Sequence, residues 1–366
     1  MRRILFFLTI ALMLAACEPE DPGRQDTFDR KAMLAHWADN IIIPGFVEMQ
    51  SQSQKLEDAT QTFVATPDAA NLASLRLAWE SAYRQWQKVA MFSLGKAEAI
   101  RLRDNLNIYP VDVEELKELV ADGTYNFLLP STVDVQGFPA LDYLLYGVGD
   151  TDESVLSVYT TDSLATNYLQ YLTDVSARIN QMITEVRDDW QGDYRNSFVD
   201  NDGRNANASV DLMVNDFIFY YEKHLRAGKV GIPAGVFSGS VLPQNVEAYY
   251  RRDLSRELLN EALDAVQDFY NGVGANGQPG PSLLAYIASF EEEGDEVYLS
   301  RDIDVQFETA RQSIAGLNED FVAQLNDDEV RMLAAYDELQ RNVVFMKVDM
   351  LQLLNISVDY VDADGD

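Results

Sequence analysis

The sequence has one cysteine, Cys17, and two histidines, His36 and His224, among 366 residues. One thiol excludes a disulfide framework and a cysteine-built metal site. Two histidines exclude a three-His zinc centre within one chain. Neither the HExxH helix pattern nor the GxxxxGK[ST] phosphate loop occurs, so two common catalytic signatures are missing. The Gly272–Gly280 loop is glycine-rich but has no Lys, Ser or Thr to grip phosphate, and it reads as a linker. Basic residues are scarce: 28 Lys and Arg stand against 60 Asp and Glu, a formal net charge of −32. Such a surface repels phosphate backbones, so nucleic acid is not an expected partner. It suits cations, basic partners or plain solubility.

The N-terminus reads as a targeting segment. Arg2 and Arg3 precede an apolar run, Ile4 to Leu14, too short to span a bilayer as a mature helix. "LAAC", Leu14 to Cys17, resembles a bacterial lipobox and implies cleavage before Cys17 and lipidation of its thiol. Residues 1–17 are then a lipoprotein signal peptide, and residues 18–28, polar and Pro-containing, a flexible tether. No later segment is long and apolar enough for a transmembrane helix. The expected product is a soluble body held by lipid in the cell envelope, in the outer membrane on its periplasmic or surface face.

The rest is helical in pattern. Met33, Leu34, Trp37 and Ile41 recur at helical spacing, and Pro44 falls inside that pattern, where it should kink or restart the helix. Thr66 and Pro67 read as N-cap and first residue of a helix with Leu72, Leu75, Trp79, Tyr83, Trp86 and Ala90 as one stripe. Asp112 reads as an N-cap with Glu115 at capping-box spacing. Leu164, Tyr168, Tyr171, Leu172, Val175 and Ile179 form the inner face of a long helix. Gln191 to Ser209 is rich in Asn, Asp and Gly and reads as a boundary. The expected fold is all-α, two packed helical-bundle domains over residues 29–195 and 205–366.

Chemistry concentrates in "VQGFPALDYLLYG", Val135 to Gly147. Gly137 frees a turn, Pro139 suits a first helical position, and Gly147 suits a stop. Phe138, Leu141, Leu144 and Leu145 form a buried face, leaving Pro139, Asp142 and Tyr146 on another. Asp142 then sits in the first turn, where the helix dipole favours a carboxylate. Elsewhere, His36 and Asp39 lie at i, i+3 and could face one ligand, but two donors fall short of a metal site.

"GFPALDYLLYG" resembles the imelysin-like family's motif, Gly-x-His-x-x-Glu followed by an aromatic residue and a Leu pair. "DNIIIPGF", "LRLAWESAYRQWQKVAMFSLG", "LNIYPVDVEEL", "KVGIPAGV" with "NVEAYY", and the C-terminal "DYVDADGD" resemble further family stretches, in the family's order. The resemblance implies a two-bundle helical fold, an envelope location, a link to iron uptake and, for some members, a peptidase activity. Gly137 matches the motif glycine. Pro139 stands where the family has His, and Asp142 where it has Glu. Pro offers no donor atom, and Asp reaches roughly 1.5 Å less than Glu. A His-dependent peptidase site is therefore disabled. An oxygen-only site for a divalent or ferric ion would need Asp142 with Glu98, Asp112 or Asp216, carboxylates in family-like segments. The leading expectation is an envelope binding protein for a metal ion or metal complex. A carboxylate-only metallopeptidase and a structural module docking an envelope partner are the alternatives.

Overall fold

Asp29 opens the first helix by accepting the N–H of Ala32 at 2.9 Å. In the computed structural model, residues 26–292 and 298–360 are described, and every regular element among them is a helix. Their one isolated bridge pairs Val273 with Pro279. Cys17 and most of the tether lie outside the described residues, as do residues 361–366 of the C-terminal stretch.

Helix α1 (Arg30–His36) runs into a π-helical stretch, Trp37–Ile42, and on into α2 (Ile43–Ala65). The widening falls just before Pro44, which has no N–H to give the carbonyl four residues back. That carbonyl, on Asn40, accepts instead from the N–H of Ala275 at 2.8 Å. The proline thus loosens the helix without ending it. Helix α3 (Ala69–Val89) begins later than the sequence suggests. Its cap is Asp68, whose carboxylate accepts from the N–H of Asn71 at 2.9 Å, while Thr66 and Pro67 stay outside. Leu72, Leu75, Trp79, Tyr83 and Trp86 are buried along α3 as one stripe.

Helix α4 (Val113–Asp122) is capped by Asp112 as expected, through the N–H of Glu115 at 3.0 Å. The motif helix α5 (Gly137–Asp142) follows, then α6 (Asp152–Thr160) and the long α7 (Ala165–Gln191). Helices α2, α3 and α7 pack side by side. The polar boundary segment is only partly a loop. Trp190, Tyr194 and Phe198 stack edge to face, and that cluster folds residues Asp193–Asp200 into α8.

The second half is built from α9 (Ser209–Phe219), its π-helical continuation Tyr220–Gly231, α10 (Ser255–Asn271), α11 (Leu283–Ala288), α12 (Leu299–Ala315), α13 (Phe321–Asp327) and α14 (Glu329–Val344). Helix α10 lies against α3. Phe269 meets Trp37 at 4.8 Å and Phe92 at 5.5 Å between ring centres. One apolar core runs through both halves. No helix among the described residues is long and apolar enough to cross a membrane.

Candidate functional site

The motif helix starts at Gly137 because nothing larger fits. Its φ is +76°, and a Cβ there would stand 2.3 Å from the carbonyl oxygen of Leu106. Pro139 is therefore the third helical residue, still within the turn whose N–H groups lack helical partners. Phe138 stacks on Tyr83, centre to centre 4.7 Å and nearly parallel, and its carbonyl accepts from the Trp79 indole at 3.2 Å.

Asp142 ends this α-helical segment instead of sitting in its first turn, so the dipole does not explain it. Its side chain is 2% exposed, and each oxygen accepts a backbone N–H from the other half of the chain. Oδ2 takes Tyr250 and Oδ1 takes Arg251, both at 2.9 Å. Burial pushes the carboxyl up to about 7, against the pull of those two N–H groups and of the Arg251 guanidinium. Arg251 is held in turn by Glu80 at 2.8 Å, and the Tyr146 hydroxyl donates to the same oxygen. Gly147 lets the Tyr250 ring close over the end of the motif; a Cβ would stand 2.4 Å from it.

The other three carboxylates go elsewhere. Asp112 caps α4. Asp216 accepts from the N–H of Ser93 at 2.6 Å and from Arg103 at 3.0 Å. Glu98 is exposed on the one-turn helix Lys96–Ala99. Among the described residues no three or more His, Cys, Asp or Glu side chains are grouped to hold a metal ion. Asp142, Glu98, Asp112 and Asp216 thus do not form one oxygen-only ligand set, because each is already engaged or solvated in a different place. Pro139 beside Asp142 offers no donor atom, so the motif does not fit a metal.

His36 and Asp39 also part company. A His36 ring nitrogen bonds the Gly272 carbonyl at 2.8 Å and the other meets Asn40, while Asp39 pairs with Arg195. Gly280 packs against the His36 ring, so the histidine fastens the glycine loop. That loop has a G-x-G-x-x-G spacing at Gly272, Gly274 and Gly277. It follows helix α10 where a dinucleotide fingerprint needs a preceding strand, so the motif lacks its context.

A buried polar network next to the motif is absent from the sequence expectations. Glu247, 2% exposed, accepts from Asn107 at 2.7 Å and from Tyr83 and Gln87 at 3.1 Å. Its other oxygen pairs with Lys229, which also donates to Gln87 at 2.8 Å. Asn107, Lys229 and Glu247 each lie in a family-like stretch, "LNIYP", "KVGIP" and "NVEAYY", and that was the available signal. Their convergence is not local: Lys229 and Gln87 are 142 positions apart.

Two cavities open on either side of Tyr109. One, of about 250 Å³, is bounded by Tyr109, Pro139, Asp142, Gln244 and Tyr249. The other, of about 160 Å³, is bounded by Trp86, Arg103, Tyr109, Tyr220, His224 and Lys229.

Helices throughout, one glycine-opened motif helix, and a polar knot joining the halves define an all-α protein without the two-His helix of common zinc peptidases. The chain belongs to the imelysin family, whose model matches residues 42–343. A model of the prokaryotic membrane lipoprotein lipid attachment site matches residues 1–17, which supports lipid anchoring in the envelope. The chain is similar to iron-regulated protein A of Synechococcus elongatus, 22% identical over 352 residues, 92% of this chain and 90% of that protein. Two crystal structures share the fold. One is described as an iron-regulated protein A precursor from Parabacteroides distasonis, with TM-score 0.74, 18% identity, and coverage of 91% of this chain and 97% of that one. The other is an imelysin-like protein from Psychrobacter arcticum, with TM-score 0.71, 19% identity, and coverage of 90% and 97%.

Proposed function

We propose that this chain is an envelope binding protein of the imelysin family, anchored by Cys17 in the outer membrane, that carries a metal complex in iron or metal uptake and does not act as a His-dependent peptidase. One observation carries the reading: the motif carboxylate, Asp142, is occupied by the N–H groups of Tyr250 and Arg251, with Pro139 in the place of a histidine. A ligand recognised as a whole complex needs shaped cavities and fixed polar groups, which flank Tyr109. A bare ion would need a ligand cage, and the motif supplies one carboxylate. The name of the Synechococcus elongatus relative, iron-regulated protein A, supports an iron-linked cargo. In this reading the halves, residues 29–195 and 205–366, act as two bundles meeting at the cavities, and an envelope protein receives the cargo.

The test is calorimetric titration of the mature chain with free ferric, zinc, calcium and copper ions and with chelated ferric iron, beside Asp142→Ala. Saturable binding of the chelate, with no free-ion binding that depends on Asp142, is the expected outcome. Tight free-ion binding weakened by Asp142→Ala, or chelator-sensitive peptide cleavage lost in that variant, would return the motif to metal chemistry.

A further inference from the structure

Arg178 is a cation without a counter-ion in a chain of 60 acidic and 28 basic residues. It lies partly buried on α7. Its hydrogen-bond partners are neutral: Nε donates to the side-chain oxygen of Gln136 at 2.6 Å, and Nη2 to that of Asn105 at 3.3 Å. No Asp or Glu among the described residues pairs with it. Its Nη1 has no partner there either and is not sealed from solvent. Arginine keeps its charge in proteins, and a charge taken out of water is normally matched by an opposite one. Burial lowers the pKa of this guanidinium from its ordinary value, so its surroundings disfavour the charge they hold.

The two amides cannot turn away from it. Gln136, 1% exposed, gives its amide nitrogen to the carbonyls of Phe127 at 3.1 Å and Thr132 at 3.0 Å. Asn105, 9% exposed, gives its own to the carbonyls of Ile100 at 3.1 Å and Arg101 at 3.0 Å. Each amide is left with its oxygen toward the guanidinium. Part of this cradle is strained backbone: Arg101 takes a φ of +50°, uncommon for a residue with a side chain. Gln136 directly precedes Gly137, so the turn that opens the motif helix also carries one arm of the cradle.

Arg178 borders a cavity of about 330 Å³ that shares no lining residue with the two beside Tyr109. Ile100, Leu128, Leu129, Val133 and Met182 give it an apolar wall. Leu128 and Leu129 are 76% and 49% exposed. Single exposed apolar residues are ordinary, but neighbours at the rim of a cavity form a patch of the kind that marks a ligand groove. The other charged groups in the lining are engaged. Arg101 pairs with Asp104 at 2.8 Å, and Glu185 accepts from Gln181 at 3.1 Å. Arg178 alone brings an unmatched charge.

We infer that this cavity binds a small carboxylic acid with an apolar body, its carboxylate on Arg178 and its hydrocarbon against Leu128 and Leu129. The planar guanidinium fork matches a carboxylate, and one unmatched cation beside an apolar wall selects a single negative charge over a polyanion. The volume falls at the small end of ligand pockets. The site stands apart from the cargo reading and adds a second ligand of different chemistry.

The experiment is calorimetric titration of the mature chain with octanoate, acetate and 1-octanol, run beside Arg178→Gln and Leu128→Ser. Saturable octanoate binding is expected, with acetate, which lacks the tail, and octanol, which lacks the charge, each binding more weakly. Loss of the charged hydrogen bonds in Arg178→Gln should weaken octanoate binding at least tenfold. Leu128→Ser changes an exposed side chain, so the melting temperature should hold while octanoate binding falls several-fold. That variant decides the matter if Arg178→Gln does not fold. Octanoate bound equally by the wild type and the folded variants overturns the site. So does acetate or octanol binding as tightly as octanoate, or no octanoate binding by the folded wild type. None of these outcomes touches the chelate titration, which judges the cargo reading on its own.

Discussion

A carboxyl group buried among aromatic rings and met by two N–H groups has opposing demands placed on it. At Asp142 burial prevails, and the group is pushed up to about 7 from an ordinary value of 3.8. Between these values the unfolded chain gives up its proton and the folded one keeps it. Stability from this group is therefore complete at low pH and drains as pH rises through that window, by about 1.4 kcal/mol for each pH unit. Asp142→Asn cannot ionise, and its amide turns an N–H toward one of the two backbone donors. It should be less stable than the wild type at pH 5, with the gap narrowing at pH 8; urea midpoints of both chains at the two values measure this. Constant separation would mean that Asp142 is ionised throughout. The sequence marks Gly137, Pro139 and Asp142 as a unit, and Gly137 indeed opens the helix. It does not reveal what Asp142 holds, because the Tyr250 N–H arrives from 108 positions away. Glu98, Asp112 and Asp216 share family-like segments but not a place in the fold: one is exposed, one caps a helix and one is held by Ser93 and Arg103.

Among the elements, the helices are legible because apolar spacing is a local property. The stripe from Leu72 to Trp86 on α3 and the Tyr171, Leu172, Val175 and Ile179 face of α7 are buried as that spacing requires. Ends and irregularities are less legible. Thr66 and Pro67 carry the expected start signal, yet the chain uses Asp68, whose carboxylate is a stronger acceptor than the Thr66 hydroxyl. Asp68→Ala should cost about 1 kcal/mol in urea unfolding. The exposed Thr66→Ala should stay within about 0.5 kcal/mol of the parent. Equal costs would move the cap back to Thr66. The widened turns at Trp37–Ile42, Tyr143–Gly147 and Tyr220–Gly231 have no clear periodic signature, since one extra residue per turn barely disturbs an apolar stripe. Only the first is foreshadowed, by Pro44. The third brings Tyr220, Lys223, His224, Gly228 and Lys229 to the wall of one cavity.

For the molecule as a whole, the formal charge of −32 is spread over a surface where most ion pairs are exposed on at least one side. Such pairs contribute little, whereas the excess of like charge opposes compactness at every point. Sodium chloride should therefore raise the melting temperature, as screening relieves repulsion faster than it weakens the pairs. A melting temperature that falls with salt would show that the surface pairs dominate. The family was legible at this scale because six weak stretches occur in order, and the imelysin model covers residues 42–343. The polar knot on Glu247 was not, since it is assembled from Tyr83, Gln87, Asn107 and Lys229 by the fold itself.

The tie between Asp142 and the N–H groups of Tyr250 and Arg251 also orders events in time. A secreted chain crosses the membrane N-terminus first, and the lipid site at residues 1–17 precedes everything else. The motif helix thus emerges more than a hundred residues before the backbone that completes it. Until residue 251 is through, Asp142 has water for a partner, and the cavities on either side of Tyr109 lack a wall. The lipid attachment site therefore precedes, in chain order, every contact that joins the two halves.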